Sequence, residues 1–207
     1  MNITWIDSIK EGLRIYVQYG MFATFLIMGV KIFVSKKVNF LEIAVKQMFV
    51  MYLCCVVELV FFPLPTMEQA AELSIRYQII PFHFIVDLMK DSVVRVICQV
   101  LFNIVMTIPL GMFLKYGAGF NMKETALTGL GFTAFIEVGQ LTGLYFLFKG
   151  SYRLFDVDDL MLNVLGTMIG YMVICVAEKH KIPKLATFDR LVGAPCAEDS
   201  VRKTMKS

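Results

Sequence analysis

Five long apolar stretches follow one another along the chain, separated by polar connections. They lie at residues 15–34, 45–63, 94–114, 125–148 and 159–177. Each is close to the roughly twenty apolar residues that a helix needs to cross a bilayer. The pattern predicts an all-α fold, an integral membrane bundle of about five transmembrane helices.

Two segments outside these stretches have patterns of their own. Before the first stretch, apolar residues recur at helical spacing (Ile6, Ile9, Leu13 and Val17). This predicts a short N-terminal interfacial helix. The connection at 64–93 holds an apolar run too short to cross, so we expect it to lie at the interface or re-enter against the bundle.

Basic residues predict the orientation and the organisation of the chain. The connections at 31–46 and 115–124 and the tail from Lys179 carry four, two and seven of the 20 Lys and Arg residues. Basic connections favour the cytoplasmic side, which predicts an N-terminus outside and a C-terminus in the cytoplasm. The predicted parts are an N-terminal region with the first span (1–44), a membrane domain (45–177) and a basic cytoplasmic tail (178–207).

Composition excludes several classes of protein. Hydrophobic residues make up 57% of the chain, charged residues 18%, and the mean hydropathy is +0.68, which is unusual for a soluble domain. A net charge of +3 gives no basic excess for binding nucleic acid. Four of the five cysteines lie in apolar stretches and there are only two histidines, so we expect no metal site and no cofactor.

The fifth stretch has one specialised face. At about 100° per residue, Asp159, Asn163, Gly166 and Gly170 fall on a single stripe. Its first half is polar, and its second half is a small-xxx-small surface of the kind that lets another helix approach closely. An N-cap role is the simpler interpretation of Asp158 alone, and helix packing is an equal alternative for Asn163.

The fourth stretch presents a matching polar face. Thr133, Glu137 and Gln140 share this face, while Gly139 and Gly143 make a second small-xxx-small pair on another side. If the helix runs over 125–148, Glu137 lies about 16 Å from each end. A carboxylate at that depth must face the interior of the bundle, and it is a functional-site hypothesis by default.

The third stretch completes a predicted site. Arg95, Gln99, Asn103 and Thr107 form a polar stripe that reaches mid-membrane. In the predicted orientation all these stripes belong to the outer half of the bilayer. The sequence therefore predicts an outward-facing polar cavity, lined by Arg95, Asn103, Glu137, Gln140, Arg153, Asp156, Asp159 and Asn163.

Several of these residues stand in ordered motifs. They read Asn103 with Pro109-Leu110-Gly111, then Glu137-x-x-Gln140, then Arg153-x-x-Asp156-x-x-Asp159-x-x-x-Asn163-x-x-Gly166-x-x-x-Gly170. Over residues 50–177 the chain resembles the VanZ-like family of membrane proteins. The resemblance implies a multi-pass protein of the bacterial cell membrane, linked to reduced susceptibility to teicoplanin and related glycopeptides or lipoglycopeptides. It also implies that the polar positions carried over from the family are functional, namely Asn103, Glu137, Gln140, Arg153, Asp156, Asp159 and Asn163.

Three functions remain open on the sequence. The first is a non-enzymatic protein that binds a lipid-linked cell-wall precursor or a lipoglycopeptide, with Arg153 and Arg95 near the rim as contacts for a phosphate or carboxylate. The second is a membrane enzyme acting on such a precursor, with Glu137 and Asp159 as catalytic residues. The third is a proton-coupled flippase, which would need a homodimer because the chain has no internal repeat.

Overall fold

A computed structural model describes residues 5–35, 40–151 and 153–180. Residues 36–39 of the first basic connection and residues 181–207 of the predicted basic tail lie outside this range. The elements in chain order are α1 (Trp5–Ile15), a π-helical turn (Tyr16–Gly20), α2 (Met21–Ser35), α3 (Phe40–Phe61), α4 (Met67–Ala71), β1 (Tyr77–Gln78), α5 (His83–Lys90), α6 (Val93–Tyr116), α7 (Met122–Leu141), α8 (Gly143–Phe146), β2 (Phe155–Asp156) and α9 (Val157–Lys179).

Three of the described helices are long and apolar enough to cross a membrane. They are Ile43–Phe61 within α3, Val93–Tyr116 and Val157–Lys179. The chain is therefore a mostly helical, multi-pass membrane protein. The second, third and fifth predicted spans fall on these helices. For the first and fourth spans, which correspond to α2 and α7, crossing of the membrane stays a prediction.

The N-terminal helix α1 packs along α3. A Cβ added at Gly12 would lie 2.6 Å from the Cα of Cys55, so the two backbones are in direct contact. The Cys55 thiol donates a weak hydrogen bond of 3.9 Å to the carbonyl of Ile9. Helix α1 stands where the interfacial helix was predicted, but it lies against a spanning helix, and its placement at the interface stays a prediction.

Helices α6 and α9 form the tightest pair in the described structure. A Cβ added at Gly166 would lie 2.1 Å from the carbonyl oxygen of Ile104, and one at Gly170 would lie 2.0 Å from that of Ile108. From the opposite helix, a Cβ at Gly111 would lie 1.8 Å from the carbonyl oxygen of Thr167. Bare glycine surfaces on both helices thus bring the two backbones together.

Helix α7 packs against α9 and α3. It begins with a capping box between Asn121 and Glu124. Gly129 faces the side chain of Thr167 on α9, where an added Cβ would lie 2.9 Å away. Ile136 joins an apolar cluster with residues of α3, namely Val56, Val60 and Phe61.

The predicted extent of the fourth span is wrong at its end. Helix α7 stops at Leu141, and the backbone is left-handed from Gly143, whose φ is +64°, through Phe146. A Cβ at Gly143 would lie 2.5 Å from the carbonyl oxygen of Phe148, so a close turn requires glycine there. Gly139 instead faces the ring of Tyr145. The predicted Gly139 and Gly143 pair therefore does not form one helix-packing surface.

Two short strands tie the connection at 64–93 to the start of α9. β1 and β2 pair in parallel, with Tyr77 opposite Phe155 and Gln78 opposite Asp156. The buried hydroxyl of Ser151 supports this pairing, because it accepts from the Arg76 amide and donates to the Leu141 carbonyl, both at 3.0 Å. These strands are the exception to the predicted all-α fold, and they hold the polar connections over one end of the bundle.

Candidate functional site

Carboxylates from two helices and the connection between them meet at one end of the bundle. Helix α3 ends, α6 begins, α7 ends and α9 begins at this end. We name Glu137, Asp156 and Asp159, with the amide of Asn103, the acidic site. Asn103 on α6 donates a hydrogen bond from Nδ2 to Oδ1 of Asp159 on α9, and Gln99 also hydrogen-bonds Asp159. Two stripes that the sequence placed on separate helices are therefore in contact.

Glu137 is the most enclosed acid of the acidic site. Its exposed fraction is only 2%, and its Oε2 accepts a hydrogen bond of 3.2 Å from the backbone amide of Asp156. The negative charges of Asp159 and Asp156 and the positive charge of Arg153 all act on it. Since α7 ends at Leu141, Glu137 stands about 6 Å from that helix end, and the predicted distance of about 16 Å, which assumed a helix over 125–148, is wrong.

Asp156 closes the acidic site at the start of α9. It is the N-cap of that helix, and its Oδ1 accepts from the amide of Asp158 at 2.8 Å. Burial raises the pKa of Asp156, while the hydrogen bond from Asp158 acts in the opposite direction. The charges of His83 and Asp87 on α5 also act on Asp156, so α5 borders the site.

Asp158 has a role that the sequence did not suggest. Its Oδ1 accepts from the amide of Phe82 at 2.6 Å, and its Oδ2 accepts from the amide of Phe84 at 2.9 Å. The carboxylate therefore caps α5, which lies more than seventy residues earlier, and its own helix is capped by Asp156.

Among the described residues, no group of three His, Cys, Asp or Glu side chains could hold a metal ion.

A neutral polar layer lies one helical turn from the acidic site. Thr107 on α6 donates to the carbonyl of Asn163 at 2.7 Å, and Asn163 Nδ2 donates to Thr133 Oγ1 on α7 at 2.9 Å. Asn163 is 2% exposed, and its Oδ1 has no hydrogen-bond partner among the described residues. The layer joins the same three helices as the acidic site. Thr107 and Thr133 were visible in the sequence only as members of polar stripes.

Gln140 and Arg153 bind the end of α3. Gln140 Nε2 donates to the Val60 carbonyl at 3.0 Å, and Arg153 Nη2 donates to the Phe62 carbonyl at 3.1 Å. Carbonyls in the last turn of a helix have no partner within the helix, so Gln140 satisfies one that α3 leaves open, while Arg153 binds the residue that follows α3. Gln140 is therefore committed to the protein, whereas Arg153 also acts on Glu137 through its charge.

Arg95 is a predicted site residue that lies away from the acidic site. Its side chain is 71% exposed, and its Nη1 contacts both carboxylate oxygens of Asp91, at 2.9 and 3.0 Å. The backbone amide of Ser92, and to a lesser extent Arg95, hold the pKa of Asp91 below its usual value. Arg95 is one helical turn beyond Gln99, at the rim.

Comparison with known proteins identifies the region that carries these features. A family model described as VanZ/LLP1 matches residues 49–178, more than half of the chain. The chain belongs to the VanZ/LLP1 family. The predicted family is thereby confirmed. No curated protein and no solved structure matches the chain.

The VanZ/LLP1 match separates the structure into two parts. All residues of the acidic site and of the neutral polar layer lie within the matched range, as do the glycines between α6 and α9. Helices α1 and α2 precede it. The range that matches the VanZ/LLP1 family therefore contains the residues that position the acidic site.

Proposed function

We propose that this VanZ/LLP1 protein binds an amphiphilic or lipid-linked ligand of the bacterial cell envelope at the acidic site, and thereby alters susceptibility to glycopeptides or lipoglycopeptides. The observation that carries the proposal is the enclosure of Glu137 beside Asp159, with Asn103 bonded to the latter. Burying an acidic side chain among membrane helices costs free energy, and such side chains usually have a functional role.

The position of the acidic site supports a ligand that enters from the membrane surface. Glu137 stands near the end of α7, and Asp159 lies in the first turn of α9. In the orientation predicted from the basic residues, this end faces outward, where drugs and cell-wall precursors meet. A ligand with an apolar tail would keep the tail in the bilayer and place its polar group against the carboxylates.

Glu137→Gln tests this proposal in cells. We expect this variant to shift the glycopeptide susceptibility of a complemented deletion strain towards that of the deletion strain, because the amide lacks the charge of the carboxylate. Susceptibility is measured together with membrane protein level, since loss of abundance would have the same effect. Glu72→Gln, the same change at an exposed residue, is the matched control. Full activity of Glu137→Gln at normal abundance would contradict the proposal.

The two arginines give a second test. Arg153 acts on Glu137 through its charge, whereas Arg95 is exposed and paired with Asp91. We expect Arg153→Gln to change drug susceptibility and Arg95→Gln to leave it unchanged, because exposed ion pairs contribute about 1 kcal/mol or less. The measurement is the susceptibility of the two complemented strains at equal protein level. A change of susceptibility in Arg95→Gln but not in Arg153→Gln would instead indicate that the ligand contacts the rim, near Arg95.

A second candidate function is acid–base chemistry on a lipid-linked cell-wall intermediate, either in an enzyme or in a proton-coupled flippase. The mutual electrostatic effects of Glu137, Asp156 and Asp159 favour it, because neighbouring carboxylates at one site tend to share protons. In the Glu137→Gln variant, a saturating concentration of ligand would restore binding, but it would not restore a proton transfer. Activity that stays lost at saturation would therefore favour the second function. Turnover of a lipid diphosphate by the purified protein would decide for the enzyme.

A further inference from the structure

Helix α5 has an apolar stripe on its exposed side. The stripe consists of Phe82, Ile85, Val86 and Met89, which recur at helical spacing, and we name it the α5 stripe. All four residues are exposed, and Met89 is 86% exposed. The α5 stripe is thus an apolar surface that the described part of the chain leaves uncovered.

The opposite side of α5 is the more polar one. His83, Phe84, Asp87 and Leu88 are half-buried there, and His83 lies 3.2 Å from Asp87. The charges of His83 and Asp87 act on Asp156, so this side faces the bundle. A surface helix of a soluble protein has the reverse arrangement, with apolar residues inward and charged residues outward. The α5 stripe therefore has the polarity of a surface that contacts lipid.

The hydrogen bonds at the start of α5 fit the same environment. The first amides of a helix have no partner within it, and an unpaired amide in hydrocarbon costs several kcal/mol. The carboxylate of Asp158 accepts hydrogen bonds from the amides of Phe82 and Phe84, at 2.6 and 2.9 Å. This pairing removes much of the cost of placing the start of α5 in the bilayer.

The contacts of α5 show where it lies along the bundle. It begins beside Asp158, in the first turn of α9, and it ends two residues before α6. The next residue of α9, Asp159, pairs with Asn103, which lies about 15 Å along α6 from Val93, the first residue. The eight residues of α5 cover about 12 Å. Helix α5 therefore runs beside the first turns of α6.

The length of α6 places these turns at the level of the bilayer. Its 24 residues cover about 36 Å, and the hydrocarbon core is about 30 Å thick. If α6 crosses the core, no more than about 6 Å of it projects at either end, which is less than the length of α5. In the same half of α6, Val94, Ile97, Leu101 and Val105 form an exposed apolar stripe, which faces lipid in a spanning helix. The α5 stripe lies beside the part of α6 where this lipid-facing surface begins.

From these observations we infer that the α5 stripe contacts acyl chains, in the leaflet at the end of the bundle that holds the acidic site. The sequence left two placements open for residues 64–93, at the interface or re-entering against the bundle. Helix α5 then takes the second, with its polar side against the bundle and its apolar side in lipid. This placement does not depend on the proposed function of the acidic site.

The fluorescence of a single tryptophan tests this contact. The chain has one tryptophan, Trp5, so Trp5→Phe provides a background without it. Ile85→Trp and Met89→Trp each add a tryptophan to the α5 stripe. Ser74→Trp adds one at an exposed polar residue of the same connection and is the matched control. The full-length proteins are compared in phosphatidylcholine nanodiscs with and without bromine in the acyl chains, and with iodide as the quencher in water.

The two quenchers give opposite expectations for the α5 stripe and for the control. We expect Ile85→Trp and Met89→Trp to lose most of their fluorescence in the brominated discs and little of it to iodide, and Ser74→Trp to do the reverse. Melting temperatures equal to that of the background show that each variant is folded, and either stripe position alone is sufficient for the test. Stronger quenching by iodide than by bromine at the α5 stripe would overturn the inference. Protection from both quenchers would also overturn it, and would indicate that protein, such as a second copy of the chain, covers the stripe.

Discussion

Gly111→Ala is expected to destabilise the protein by about 3 kcal/mol or more, the upper range for overpacking a close contact. The added Cβ would lie 1.8 Å from the carbonyl oxygen of Thr167, which is backbone of the facing helix and cannot rotate away. Helices α6 and α9 would have to separate, and the hydrogen bond from Asn103 to Asp159 would be lost with their contact. The measurement is the thermal unfolding of the purified protein and the yield of folded protein in the membrane.

Other glycines supply a graded set of controls. Gly170→Ala and Gly166→Ala should be nearly as damaging, because their added Cβ atoms meet carbonyl oxygens at 2.0 and 2.1 Å. Gly129→Ala should destabilise the protein less, since its added Cβ would meet the side chain of Thr167 and not backbone. At Gly131 nothing lies within 4 Å, so alanine there should stabilise α7 by about 0.5–1 kcal/mol. If Gly131→Ala were as damaging as Gly111→Ala, packing of the helix pair would not be the cause.

Asp158→Ala is expected to release α5 from the bundle. Two hydrogen bonds to the carboxylate, from the amides of Phe82 and Phe84, would be lost together. Hydrogen bonds to charged groups contribute about 1.5–3 kcal/mol each, so we expect a local loss of about 3 kcal/mol or more. Hydrogen–deuterium exchange of residues 79–91 measures this loss directly.

Two further aspartate variants check this role of Asp158. Asp158→Asn keeps one acceptor oxygen and should give an intermediate rate of exchange. Asp91→Asn makes the same chemical change at an exposed residue of the same end, and it should leave the amides of Phe82 and Phe84 protected. Unchanged protection of these two amides in Asp158→Ala would show that α5 is held by other contacts.

Helical periodicity was sufficient to predict which polar residues share a face. Asp159, Asn163, Gly166 and Gly170 lie on one stripe of α9, and the structure places that stripe against α6. Three spans and the family were likewise predictable, because length, apolarity and motif order are all local properties of the chain. Which stripe would contact which was inferred only from the need to pair buried polar groups. The structure pairs Asn103 with Asp159, and Asn163 with Thr107 and Thr133.

Features that depend on backbone conformation or on distant contacts were not predictable in this way. Gly143 looks like a helix-packing residue by its spacing from Gly139, but it is needed for positive φ where α7 has already ended. Asp158 looks like an N-cap of its own helix, yet its partners precede it by more than seventy residues. In both cases the residue type limited the possible roles, and the three-dimensional structure shows which of them the residue has.

The close contact between α6 and α9 limits how the acidic site can open. Because the two backbones touch at Gly111, Gly166 and Gly170, we expect α6 and α9 to keep their relative positions. Asn103 and Asp159 belong to this helix pair, and Glu137 belongs to α7. If a ligand enters as in the proposed function, we therefore expect α7, and Glu137 with it, to move relative to Asn103 and Asp159.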